Sequence, residues 1–131
     1  MSIKLIVADD HPLVLDALDE LLSCEPDITV VARCRDGEAA LAALRDDPPD
    51  VLVLDLSMPG MGGLGVLREL AHEKRAPAVV LYTVRIDPID LVEARRLGVR
   101  GVVIKGMPPS RLIECIRALH AGDEWFPMSS R

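Results

Sequence analysis

Aromatic residues are nearly missing from this chain of 131 residues: Tyr82, Trp125 and Phe126 are the whole set. With half of all residues hydrophobic, the core has to be aliphatic, built from Val, Leu, Ile and Ala. Long apolar runs are missing too. None approaches the roughly 18 residues needed to span a membrane, and the N-terminus lacks the apolar stretch and small-residue cleavage site of a signal peptide. Cysteine is sparse and scattered: Cys24, Cys34 and Cys115 offer no CxxC or Cys/His ligand spacing. They read as reduced, mostly packed thiols of a cytoplasmic protein. Excess positive charge is missing as well. The net charge is −6, which argues against nucleic-acid binding by this segment as a whole. Residues 1–65 carry a net −9 and residues 66–131 a net +3, so the two halves present different surfaces.

What is present is a rhythm. Short apolar runs recur at Ile3–Ala8, Ile28–Ala32, Val51–Leu54, Ala78–Leu81 and Val102–Ile104. Each is too short for a helix and too continuous for a half-exposed strand, as expected of parallel strands buried on both faces. Amphipathic stretches lie between them. Val14, Leu18, Leu21 and Leu22 share one helical face after Pro12. Asp36 is the predicted N-cap of a helix carrying Ala40, Leu41 and Leu44. Leu64, Leu67 and Leu70 mark a third helix. Ile89, Leu91, Val92 and Leu97 mark a fourth, closed by Gly98, and Leu112, Ile113, Ile116 and Leu119 a fifth, closed by Gly122. Five such units predict an α/β fold: a doubly wound, five-stranded parallel sheet in order 2-1-3-4-5, flanked by five helices in the flavodoxin-like manner. Residues 1–122 form the domain. Residues 123–131 show no periodicity and read as the start of a linker or a loose C-terminal tail.

Four of the five strands end in polar side chains: Asp9 and Asp10 after the first, Asp55 after the third, Thr83 after the fourth and Lys105 after the fifth. Ligands bind at this carboxyl edge of open parallel sheets, at the switch point between strands one and three. Three carboxylates converging there repel one another and call for a cation. Hard oxygens with free water positions suit Mg²⁺. A carboxylate can act as a nucleophile and carry an acyl phosphate, and phosphoryl transfer needs mainly positioning and charge neutralisation. These roles fall to a metal held by Asp10 and Asp55, then to Lys105, then to Thr83. His11, beside the acids, fits a solvated or helix-start role better than a ligand role, since Mg²⁺ prefers oxygen.

The chain resembles the receiver domain of two-component response regulators over about residues 3–122. The stretches that carry the resemblance are Val7-Ala8-Asp9-Asp10-His11, Val53-Leu54-Asp55 through Met61-Gly62-Gly63, Leu81-Tyr82-Thr83, and Gly101-Val102-Val103-Ile104-Lys105. The Asp-Asp-His-Pro start and the Lys-Gly-Met-Pro-Pro ending are most similar to receivers that precede a helix-turn-helix DNA-binding domain of the LuxR/FixJ type. The resemblance implies that Asp55 accepts a phosphoryl group from a phosphohistidine on a sensor histidine kinase. It implies that Asp10 and Asp55 ligate Mg²⁺ directly, Asp9 through water, and the backbone carbonyl of Ser57 completes the protein ligands. Thr83 and Lys105 are then the phosphoryl-binding and switch residues. It further implies a homodimer through the face of helix four, strand five and helix five, contact with DNA only through an output domain beyond these residues, and no membrane partner.

Four positions depart from the usual pattern. Val102 stands where most receivers carry the Tyr or Phe that swings inward on activation. Val84 replaces a small Ala after Thr83 and is expected to narrow the approach to Asp55. Gly62 and Gly65 replace residues that are commonly acidic and are expected to weaken the start of helix three by up to roughly 1 kcal/mol each. Three other readings stay open: a phosphatase using a nucleophilic Asp, disfavoured because Ser57 stands where its second acid belongs; a flavodoxin-like cofactor binder, disfavoured by the negative charge of Asp9-Asp10; and a degenerate receiver acting as a phosphorylation-independent interaction module.

Overall fold

The computed structural model describes residues 2–126. Five strands alternate with five helices: β1 Ile3–Ala8, α1 Pro12–Ser23, β2 Ile28–Cys34, α2 Gly37–Asp46, β3 Val51–Leu54, α3 Gly62–Leu70, β4 Ala78–Thr83, α4 Pro88–Arg96, β5 Gly101–Ile104 and α5 Ser110–His120. The strands form one parallel sheet in the order β2-β1-β3-β4-β5, as the sequence rhythm predicts. β2 and β4 each run two residues beyond the predicted apolar run and β5 begins one residue earlier, because polar or small residues at strand ends still pair through their backbones.

The aliphatic core is split by the sheet. On one side Leu5, Val7, Val53, Val80 and Val103 pack against α1 and α5 through Leu18, Leu22, Leu112 and Ile116. On the other, Ile6, Leu52, Leu54, Leu81 and Val102 pack against α2, α3 and α4 through Leu41, Leu44, Val66, Leu67 and Ala94. The period-2 alternation along each strand produces this division. β1 and β3 are buried on both faces, which is why they read as continuous apolar runs. Asp36 caps α2 as predicted, its side chain accepting from the Ala39 amide.

Two expectations fail. The apolar residues assigned to helix four do not all face the sheet: Ile89 and Val92 are 81% and 68% exposed. α4 is anchored instead by Ala94, with Leu91 and Leu97 partly buried beside it. Those three follow i, i+3, i+6 spacing, and the small alanine lets the helix approach the sheet. Nor are residues 123–126 loose. The Trp125 amide donates to the Arg100 carbonyl at 2.9 Å and the Val102 amide donates to the Trp125 carbonyl at 3.1 Å. Trp125 thereby forms a parallel bridge to Gly101 on the outer edge of β5. Residues 127–131 of the predicted tail lie outside the described residues.

Candidate functional site

Strand register assembles the site. Ala8 pairs with Leu54, and the Asp55 amide donates to the Ala8 carbonyl at 2.9 Å, so the residues that follow β1 and β3 leave the sheet side by side. Thr83 pairs with Ile104, and the Lys105 amide donates to the Thr83 carbonyl at 2.7 Å. The loop after β3 then has to turn sharply back under the acids. Gly63 makes that possible, since a Cβ there would lie 2.7 Å from the Asp55 carbonyl oxygen and 2.8 Å from the Leu56 Cα. Gly62 has a φ of +73°, a left-handed conformation that a side chain makes costly by roughly 1–2 kcal/mol. Glycine at 62 therefore eases the helix start, contrary to the sequence expectation. At Gly65 a Cβ would meet the flexible Met61 side chain.

Asp9, Asp55 and Thr83 are the buried polar residues among those described. The Lys105 Nζ donates to Asp9 Oδ2 at 2.6 Å and to Asp55 Oδ2 at 3.4 Å, and it lies 5.7 Å above the Tyr82 ring. Burial pushes the Asp55 carboxyl above the ordinary carboxylate range, and the Asp9 charge adds to that; the Ser57 amide and Lys105 pull only partly the other way. Burial also works against the Lys105 ammonium. The Asp9 hydrogen bond and the charges of Asp55 and Asp9 outweigh it and hold Lys105 above the ordinary lysine value.

Asp9, Asp10, His11 and Asp55 each place a ligand atom so that all lie within 4.8 Å of one another. Asp10 Oδ1 is buried and has no hydrogen-bond partner among the described residues; His11 Nδ1 stands 3.0 Å away but out of line for a hydrogen bond. An orphaned carboxylate oxygen beside two further acids fits a hard divalent cation such as Mg²⁺, which takes oxygen ligands and keeps several waters. His11 does start α1, as expected. Its approach to both acids was not legible in the sequence: its amide and Nδ1 reach Asp9 Oδ1 at 2.9 and 3.1 Å. The ring is more than half exposed, and a nitrogen ligand remains a poor match for that ion.

The Thr83 hydroxyl donates to the Arg85 carbonyl at 3.3 Å. Val84 is 69% exposed. Val102 is buried in the core beneath α4, in the cluster of Leu81, Ala94 and Val99. A groove of about 360 Å³ opens beside Lys105, lined by Leu13, Val14, Leu18, Tyr82 and Pro109, with Leu13 82% exposed at its rim.

The family model described as response regulator receiver domain matches residues 5–117. The nitrate/nitrite response regulator protein NarL of Escherichia coli K12 is 34% identical over 119 residues, covering 91% of this chain and 55% of that protein. The oxygen regulatory protein NreC of Staphylococcus haemolyticus is 30% identical over 126 residues, covering 95% and 58%. The chain thus spans little more than half the length of these curated relatives. Among solved structures, a LuxR-family two-component response regulator from Aurantimonas sp. SI85-9A1 superposes with a TM-score of 0.89 at 29% identity, covering 95% of this chain and 89% of that one. The isolated REC domain of RcsB from Salmonella enterica, solved with the phosphomimetic BeF3−, superposes at 0.88 and 28% identity, covering 98% and 96%. With the acids, threonine and lysine gathered at one sheet edge and these matches spanning nearly the whole length, the chain belongs to the response regulator receiver domain family.

Proposed function

We propose that Asp55 is the phosphoryl acceptor of a two-component switch that works in the cytoplasm with a sensor histidine kinase as donor. The observation that carries this reading is the buried Asp55 carboxylate flanked by the Lys105 ammonium and by the unpartnered Asp10 oxygen. In the transfer, a carboxylate oxygen of Asp55 forms the new bond to phosphorus while the bond to the donor imidazole breaks. Desolvation by burial leaves that oxygen poorly stabilised as an anion, which favours its reaction.

Asp10, Asp55 and the Ser57 carbonyl would hold Mg²⁺, with Asp9 acting through water. A bound Mg²⁺ supplies positive charge against the phosphoryl oxygens. Lys105 shifts from Asp9 toward the phosphoryl group, and the Thr83 hydroxyl leaves the Arg85 carbonyl to donate to it. The switch is a two-state element whose balance the phosphoryl group biases. Exposed Leu13 and the groove beside Lys105 adjoin the side from which a donor has to approach. Chemistry at the site is limited to taking a phosphoryl group, from the kinase or from small donors, and losing it to water.

Residues 1–122 form the switch, and the segment from residue 123 leads toward an output domain. The likeness to NarL, NreC and the LuxR-family regulator supports a DNA-binding output that regulates transcription. A homodimer through the α4–β5–α5 face, where Ile89 and Val92 stand exposed, completes the reading. The acyl phosphate at Asp55 is tested by its lability. Label taken from acetyl phosphate should be released by hydroxylamine and should be absent from Asp55→Asn; stable label retained by that variant overturns the reading.

A further inference from the structure

Two of the chain's three aromatic residues, Trp125 and Phe126, follow α5 directly and straddle the outer edge of the sheet. Trp125 packs on the α1–α5 side of the core and Phe126 on the α2–α3–α4 side, as neighbours in an extended segment must. The backbone ties of Trp125 run to Arg100 and Val102, at the start of β5. Gly101 leaves room for this segment: a Cβ there would lie 3.2 Å from the Trp125 carbonyl oxygen and 2.5 Å from the Cys115 sulfur.

The second tie runs to α4. The Arg95 guanidinium lies over the Phe126 ring at 4.1 Å, within cation–π range, and its Nη2 stands 3.9 Å from Glu124 Oε1. Arg100, just beyond α4, donates to the Gly122 carbonyl. α4 itself buries only Ala94 fully, and helices with few buried apolar contacts sit at the mobile end of a domain's stability range. Besides the partly buried Leu91 and Leu97 and the Glu93–Arg68 pair at 3.9 Å, Arg95 is what ties α4 to residues 124–126.

We propose that residues 123–126 form a strap that reads the state of the Asp55 site, holding α4 and β5 in the arrangement seen here and loosening when either shifts. The proposal rests on the phosphoryl-acceptor reading and adds a route for the signal. Thr83 leads through Arg85 and Asp87 into α4, and Lys105 directly follows β5, the strand whose Val102 amide bonds the strap. Val102 has no ring to swing; the aromatic ring tied to α4 is Phe126 of the strap, while Tyr82 lies beside β5 on the other face of the sheet. Coupling is reciprocal, so weakening the strap has to ease the change at the site.

The experiment is a beryllofluoride titration with Mg²⁺ on the full chain and on Arg95→Gln, reading Trp125 emission, the chain's only tryptophan, together with the amide resonances of Asp55, Thr83 and Lys105. Arg95 is half exposed, so the variant should fold. The wild type should shift both the site amides and the Trp125 emission. Arg95→Gln should bind beryllofluoride about 5-fold more tightly with a smaller emission change. Site amides that move while Trp125 stays unchanged overturn the strap and leave the acceptor reading standing. An Arg95→Gln titration identical to the wild type overturns it as well. Site amides that do not move at all refute the acceptor reading, and the strap with it.

Discussion

Lys105 is bonded more closely to Asp9 than to Asp55: its Nζ stands 2.6 Å from the one and 3.4 Å from the other. The ammonium is thus held mainly by Asp9 and more loosely by Asp55. It also neutralises part of a cluster in which Asp9 and Asp55 are both almost wholly buried. Removing one partner of a buried ion pair leaves an uncompensated charge.

Lys105→Met should therefore destabilise the fold by about 3 kcal/mol, measured by urea denaturation at neutral pH. Adding Asp9→Asn to that variant should recover part of the loss, because the stranded carboxylate is then gone. A single variant as stable as the wild type would contradict the pairing.

The raised pKa of Asp55 has a stability consequence with a definite sign. A carboxyl whose folded pKa exceeds its unfolded value binds more protons in the folded state. Stability therefore falls as pH rises from the unfolded value, near 3.9, through the raised folded one, and at neutral pH the Asp55 charge is a net burden on the fold. Asp55→Asn should raise stability at pH 7, and the gain should shrink in acid. Lys105 has the opposite profile. Its folded pKa lies above the ordinary lysine value, so its contribution is complete below about pH 10 and is lost as pH rises through the folded pKa. Thermal melts of the wild type and Asp55→Asn from acid to neutral pH check the first sign, and urea denaturation of the wild type and Lys105→Met carried above about pH 10.4 checks the second.

Mg²⁺ should stabilise the chain, since a ligand that binds only the folded state adds about 2.7 kcal/mol at 100 times its Kd. Asp10→Asn should abolish most of that gain, because it converts the unpartnered Oδ1 site into a neutral amide. Melting temperature against Mg²⁺ concentration, with Ca²⁺ and Na⁺ as controls, gives the answer. Equal stabilisation of the variant would place the ion elsewhere.

Most of this arrangement was legible because parallel strands buried on both faces announce themselves as unbroken apolar runs and end where a polar residue appears. Val51–Leu54 followed by Asp55 is the clearest case, and the doubly wound order of five such units put the first and third strands, and so the acids that end them, side by side. Side-chain contacts across the site were harder to read. The preference of Lys105 for Asp9 depends on a difference of under 1 Å, and the turn of the Thr83 hydroxyl toward the Arg85 carbonyl depends on rotamers that periodicity does not encode. α4 misled because Ile89 and Val92 look like a core face, while the position that touches the sheet is occupied by a small alanine. The segment at Trp125 had no period to detect, because a single bridge is too short to show one.

Val84 offers a rate prediction. It directly follows Thr83 and is branched and exposed at the surface near the loop that Thr83 holds. Val84→Ala should speed phosphorylation of Asp55 by a small donor, or its dephosphorylation, severalfold, with stability changed by no more than about 0.5 kcal/mol, as for other surface positions. Stopped-flow or quench-flow kinetics with acetyl phosphate measure it. Rates unchanged in both directions would remove Val84 from the account.

The most direct measurement is the intact mass of the chain after incubation with acetyl phosphate and Mg²⁺. The account predicts a gain of one phosphoryl group that requires the metal, is lost in Asp55→Asn and is retained in a control such as Asp87→Asn. A wild type that takes up no phosphoryl group, or an Asp55→Asn variant that takes it up as readily, would contradict the assignment of Asp55 as the acceptor.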